Sequence, residues 1–175
     1  MHTTQDISHD PTRNPSSSAT LDSNLFDGLH VLLVDDNFLS REITKTILEE
    51  TGFIVDTAED GQEELYMLCA AEPYHYDFIL SDVQMPIMNG HDAARAIRAL
   101  DNPLLASIPI IALSADYYDE DVQAALDCGM NAHLAKPLDI NTFTTTLTSI
   151  MTATHAHTPI NQHYHDYASA RMATE

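Results

Sequence analysis

Five short apolar runs recur through the middle of this chain, continuous rather than alternating, and each is followed by a stretch of helical period. That alternation leaves few folds open. Leu29–Val34, Phe53–Thr57, Phe78–Ser81, Ile108–Leu113 and Ala132–Ala135 read as strands. After the first, Leu39, Ile43, Ile47 and Leu48 share a helix face that stops at Gly52. Gln62–Ala71, His91–Leu100 and Tyr118–Cys128 read as further helices, the last ended by Gly129. Asp139 is placed to cap a final helix carrying Ile140, Phe143, Leu147 and Ile150, although Thr142–Thr148 is a run of low helix propensity. Strands that alternate with helices pair in parallel, and strands without polar alternation are buried on both faces. The expected fold class is therefore α/β: a doubly wound, five-stranded parallel sheet of (βα)5 type with five helices.

Outside that pattern the composition changes. Residues 1–27 are polar and hold Pro11-Thr-Arg-Asn-Pro-Ser-Ser-Ser18, too little apolar surface to offset the entropy of ordering, and read as a flexible arm. Residues 153–175 read the same way, with His155, His157, His163 and His165 spaced closely enough to bind a transition metal or to be simply solvated. One domain, residues 28–152, lies between them, and no internal repeat is evident.

Seven Lys and Arg against 27 Asp and Glu give 7 − 27 = −20. So acidic a chain is repelled by nucleic acid and anionic membranes. No apolar run nears the roughly 20 residues that span a bilayer, and no basic and apolar leader opens the sequence, so the chain is read as cytoplasmic. Cys69 and Cys128 occupy apolar helix positions and are expected to be buried, reduced thiols.

The polar residues cluster where the strands end. Asp35 and Asp36 follow the first strand, Asp82 the third, Ser114 the fourth and Lys136 the fifth. Open α/β sheets bind ligands outside the carboxyl ends of their strands. Three carboxylates brought together there repel unless a cation sits among them, and a hard divalent ion such as Mg2+ suits oxygen ligands. Lys136 adds a second positive charge and leaves room for an anion, above all a phosphoryl group. A carboxylate can act as nucleophile and form an aspartyl phosphate, and Asp82 is the candidate.

Val34-Asp-Asp-Asn37, Asp82-Val-Gln-Met-Pro-Ile-Met-Asn-Gly90, Ala112-Leu-Ser-Ala115 and Lys136-Pro137 resemble the receiver domain of two-component response regulators, most of all the receivers attached to hybrid histidine kinases. The resemblance runs from about Leu29 to Ile150 and implies a CheY-like, flavodoxin-like fold. It implies that Asp82 accepts a phosphoryl group from a histidine kinase or a histidine phosphotransfer protein. Asp36 would bind Mg2+ directly, Asp35 mostly through water, and the Gln84 main-chain carbonyl would be a further ligand. Lys136 would pair with the phosphoryl oxygens and Ser114 would hydrogen-bond the group once formed. The Lys136–Pro137 peptide is expected to be cis, and Gly90 to let the loop after Asp82 turn into the third helix.

Two positions depart from the family pattern. His133 stands where a receiver usually carries the Tyr or Phe that switches the output face; it is either a switching side chain or a surface imidazole. Phe38 replaces a common glutamate and either shields the acidic pocket, contacts a partner, or is an ordinary exposed aromatic. Gln84 and Asp116 flank the site and could tune how fast water removes the phosphoryl group. Output is expected to be protein–protein or an onward relay, because too few residues follow the domain for a DNA-binding or enzymatic unit. Two rivals stay open: a receiver-like module that binds partners without phosphorylation, and an aspartate-nucleophile phosphohydrolase of the haloacid dehalogenase type. The second needs an acid two residues after the nucleophile, where this chain has Gln84.

Overall fold

The structure is a computed structural model, and it describes residues 26–116 and 118–154. Five parallel strands form one sheet: β1 (His30–Val34), β2 (Ile54–Ala58), β3 (Phe78–Asp82), β4 (Ile110–Ser114) and β5 (Ala132–Ala135), in the order β2-β1-β3-β4-β5. The connecting helices are α1 (Phe38–Glu50), α2 (Gly61–Ala70), α3 (Gly90–Arg98), α4 (Pro103–Ala106), α5 (Asp119–Asp127) and α6 (Ile140–Thr154). The order of strand addition reverses between β1 and β3, and the crevice at such a switch point is where α/β sheets take ligands.

Side chains of successive strand residues feed two cores. Val31, Leu33, Phe78, Leu80, Ile111 and Leu113 pack under α1 and α6, with Leu48, Phe143 and Leu147 closing that side. Leu32, Val34, Ile79, Ile110 and Ala112 face Leu68 of α2, Ala94 and Ile97 of α3 and Ala125 of α5. Both strand faces are thus covered, as the unbroken apolar runs predict. Phe26 lies inside the stretch read as a polar arm, yet it is buried and stacks on Phe53 at 5.6 Å between ring centroids. The paired tail histidines fall outside the described residues.

The helices depart from expectation in three ways. A sixth, α4, is one short turn capped by Asn102, whose side chain accepts from the Leu104 N–H, with Pro103 in the first turn. In α1 the buried residues are Arg41, Thr44 and Leu48, while Leu39 and Ile43 are 67% and 49% exposed. The apolar spacing marked the inward face only in the second half of the helix, where Leu48 is buried and Ile47 packs against the core; the first half turns Arg41 and Thr44 inward. Cys69 of α2 is exposed rather than buried; Cys128 is buried as expected.

The threonine-rich α6 forms despite its composition. Thr144, Thr148 and Thr152 each donate a hydroxyl to the carbonyl four residues back, at 2.8, 2.8 and 2.7 Å. Phe143, Leu147 and Ile150 meanwhile bury against the sheet, so packing overrides propensity. Asp139 caps the helix as expected, accepting from the Thr142 N–H at 2.8 Å. Gly90 matters for space rather than for φ: a Cβ there would lie 2.2 Å from the Asp82 carbonyl oxygen, so only glycine lets α3 start against β3.

Candidate functional site

Asp35 follows β1 and is fully buried. It does not cap α1; Asn37 does, by accepting from the Ser40 N–H. Asp35 instead accepts from the Asn37 N–H at 2.9 Å and from Ser40 Oγ at 2.6 Å, which fixes its carboxylate toward β3. Asp82, the last residue of β3, is 7% exposed and accepts from the Gln84 N–H at 3.1 Å. Lys136 reaches back from just beyond β5, and its Nζ donates to Asp35 Oδ2 at 2.8 Å and Asp82 Oδ2 at 2.5 Å. Asp36 completes the group at the exposed rim, and one carboxylate oxygen from each of Asp35, Asp36 and Asp82 lies within 4.8 Å of the others.

The electrostatics follow from that crowding. Burial pushes the Asp82 carboxyl above the ordinary carboxylate range, against the pull of Lys136, and the Asp35 charge pushes the same way as burial. Burial would lower Lys136, but its bonds to Asp35 and Asp82 outweigh that and hold its ammonium above the ordinary lysine range. One ammonium bridges two buried carboxylates, so with Asp36 three acidic groups face a single positive charge. The donor set is all oxygen, open to solvent on the Asp36 side, and fits a hard divalent cation with waters retained. Ser114, 4% exposed, sits at the end of β4 with its Oγ accepting from the Asp116 N–H at 3.2 Å.

Asp35, Asp36, Asp82, Gln84, Ser114 and Lys136 therefore meet at one rim, and His133 lies apart from them. The loop after Asp82 forms its outer wall: Asp36, Val83, Gln84, Met85, Pro86, Asn89, His91 and Asp121 line an open cleft. Ile87 in that loop holds φ at 67°, with the Met88 N–H donating to the Pro86 carbonyl across it at 2.7 Å. The Lys136–Pro137 peptide is cis.

The family profile described as "Response regulator receiver domain" matches residues 31–148. The chain belongs to the response regulator receiver family. A rice protein named "Probable histidine kinase 2" (Oryza sativa subsp. indica) is 38% identical to this receiver over 124 residues, 65% of this chain and 12% of the kinase. The chain thus spans about an eighth of that relative's length. Among solved structures, the receiver of the sensor histidine kinase PA1611 of Pseudomonas aeruginosa, with magnesium coordinated in its active-site cleft, is 32% identical with a TM-score of 0.63. It covers 71% of this chain and 98% of its own. The receiver of Saccharomyces cerevisiae Ssk1, solved with the histidine phosphotransfer protein Ypd1, is 26% identical with a TM-score of 0.61, covering 71% and 89%. Among the described residues of this receiver no helix is long and apolar enough to cross a membrane.

His133 of the receiver is 5% exposed, which overturns the surface-imidazole alternative. It pairs in register with Ala112, two residues before Ser114, and so faces α3 and α5. Burial lowers its pKa, with the Asp121 charge opposing and His91 adding to the effect. Phe38 is 68% exposed, with the Arg41 guanidinium 5.8 Å from its ring centre.

Two buried charged residues of the receiver escaped the sequence reading. Arg41 donates to the Asp35 carbonyl at 2.6 Å and to Glu59 at 2.8 Å, tying β1 to the loop after β2 beneath the acidic pocket. Its signal was an arginine two turns before Leu48 within a helix that also carries apolar residues on another side. Glu64 of α2 is fully buried and accepts from Ser81 Oγ, next to Asp82. A glutamate in the first turn of a helix looks like ordinary dipole complementarity, so nothing in the sequence marked it.

Proposed function

We propose that Asp82 is the phosphoacceptor of a phosphorelay, taking its phosphoryl group from a histidine kinase or a histidine phosphotransfer protein in the cytoplasm. The observation that carries this is the Lys136 ammonium bridging Asp35 and Asp82 at the β1/β3 switch point, beside an all-oxygen pocket.

An Asp82 carboxylate oxygen attacks the phosphorus of a partner's phosphohistidine. An O–P bond forms as the P–N bond breaks, and the electron pair leaves on the imidazole nitrogen, which takes up a proton. Asp35, Asp36, Asp82 and the Gln84 main-chain carbonyl would hold Mg2+, which supplies positive charge to the phosphoryl oxygens. Lys136 stays within reach of the same oxygens once Asp82 is esterified. Ser114, at the end of the neighbouring strand, donates its hydroxyl to the new group. The chain catalyses only its own phosphoryl transfer and hydrolysis. A hydrolase acting on outside substrates would need an acid to protonate the leaving group, and Gln84 cannot serve.

The donor docks, on this reading, over the exposed apolar face of α1. Phe38, Leu39 and Ile43 are 68%, 67% and 49% exposed and begin directly beside Asp36. Contiguous exposed apolar side chains beside a charged cleft are the form a partner surface takes. Output is protein–protein or onward transfer, with His133 as the switching side chain.

The test is intact-protein mass after incubation with Mg2+ and acetyl phosphate. Wild type should gain one base-labile phosphoryl group and Asp82→Asn none. No gain in wild type would leave a receiver that binds partners without phosphorylation.

A further inference from the structure

Away from the acidic pocket, a second group of metal-ligating side chains converges. His30 opens β1, Asp56 lies in the middle of β2, and His75 sits in the loop between α2 and β3. Val31 pairs with Val55 and Leu32 with Asp56, so His30 and Asp56 share the sheet face that α2 covers. His30 Nε2 is 3.3 Å from Asp56 Oδ2, and His75 Nε2 is 3.4 Å from the same oxygen. The three ligand atoms lie within 4.8 Å of one another, and the two imidazole rings are 4.2 Å apart at their centres.

We propose that His30, Asp56 and His75 form a binding site for a borderline divalent transition metal, Zn2+ in the first instance, separate from the acidic pocket.

The distances suit a metal's ligand shell as well as long, weak hydrogen bonds. Both nitrogen–oxygen separations exceed the roughly 2.7–3.2 Å of an ordinary N–H···O bond. They match the edge of a tetrahedron whose centre is about 2.05 Å from each ligand, roughly 3.3 Å, which is the geometry zinc adopts with imidazole and carboxylate. The donor chemistry agrees, since two imidazoles and one carboxylate suit zinc, cobalt, nickel or copper and are poor ligands for Mg2+.

The site is also held in place before any ion arrives. The Tyr76 hydroxyl donates to Asp56 Oδ2 at 3.0 Å, the orienting bond that metal-ligating carboxylates commonly receive. Asp77 clamps the loop to β1: its carboxylate accepts from the His30 N–H at 2.7 Å, and its own N–H donates to the His30 carbonyl at 2.8 Å. Tyr76 also packs edge-on to both imidazoles. On the other side the His75 and Asp56 side chains are 37% and 41% exposed, which leaves a fourth position for water and a route in. His30 opens β1 and Asp35 follows its last residue, roughly 16 Å away at about 3.3 Å per residue, so the two sites are distinct. A bound ion would pin the loop before β3 to the β1–β2 edge.

The experiment titrates the full chain, stripped with chelator and then saturated with Mg2+, with Zn2+ by calorimetry and with Co2+ by visible absorption. A variant with His155, His157, His163 and His165 all changed to Ala removes the tail histidines as competitors. That variant should bind one Zn2+, show the intense bands of tetrahedral Co2+, and melt at higher temperature with Zn2+. His75→Ala in the same background should weaken Zn2+ binding at least tenfold and lose both the bands and the thermal shift. Phosphorylation of His75→Ala by acetyl phosphate should match wild type, reporting that it is folded; Asp56→Asn serves if it is not. Zn2+ binding unchanged in these variants, or absent once the tail histidines are gone, overturns the site.

Discussion

Ser81 Oγ donates a hydrogen bond to Glu64 Oε2 at 3.0 Å, inside the protein and one residue before Asp82. Burial raises the Glu64 pKa from 4.5 to about 8, only partly offset by the Ser81 bond, and its Oε1 has no hydrogen-bond partner among the described residues. The folded protein thus carries Glu64 as a neutral acid at neutral pH, while the unfolded chain carries it ionised.

The stability consequence has a definite sign. A group whose folded pKa is raised contributes fully below its unfolded value and is lost as pH rises through the folded value. Glu64 should therefore make the fold less stable from pH 4.5 up to about 8, by on the order of 5 kcal/mol across that range. Glu64→Gln, neutral at every pH, should flatten the change. Urea unfolding at pH 5.5 and 8.5 for both proteins reads this directly, and equal slopes in the two would refute it.

Lys136 is the cation between two buried carboxylates, so Lys136→Met should be costly without metal. Breaking a buried ion pair costs about 3–5 kcal/mol, and the 20% exposure of the Lys136 side chain reduces that to about 2 kcal/mol. Mg2+ should then recover more stability in the variant than in wild type, because it replaces the missing charge. Melting temperatures with Mg2+ and with chelator check this. An identical Mg2+ shift in both would show that the ion does not bind among these carboxylates.

Ile87 holds a positive φ that a β-branched residue tolerates poorly, and its side chain is 78% exposed and gains little from packing. Such backbone strain costs on the order of 1–3 kcal/mol, whereas glycine adds about 0.5–1 kcal/mol of unfolded-state entropy. Ile87→Gly should stabilise the fold by about 1 kcal/mol, seen as a higher denaturant midpoint. A lower midpoint would mean that the isoleucine side chain holds the loop.

His133 is buried, and its depressed pKa makes the neutral imidazole the folded form. Here the unfolded chain binds the extra proton, so stability is full above about 6.5 and falls as pH drops from there toward the depressed folded value. His133→Tyr should shrink the loss of stability between pH 7.5 and 5.5, keep phosphorylation of Asp82, and change only partner binding. Loss of phosphorylation in that variant would place His133 in the transfer step itself.

The order of strands and helices, and the delivery of Asp35, Asp36, Asp82, Ser114 and Lys136 to strand ends, were legible in the sequence. Both depend on local pattern: apolar runs mark buried strands, and a residue that ends a run sits at the sheet's rim. Which face of α1 turns inward was legible at Ile47 and Leu48 but not in the first two turns. Leu39 and Ile43 had the right spacing, but burial went to Arg41 because the Asp35 carbonyl and Glu59 lie opposite it. Glu64 and Ser81, and likewise His30, Asp56 and His75, are far apart in the chain and meet only when β1, β2, β3 and α2 pack together. Periodicity reports what one element offers; what a buried polar group means is decided by the group that the fold sets across from it.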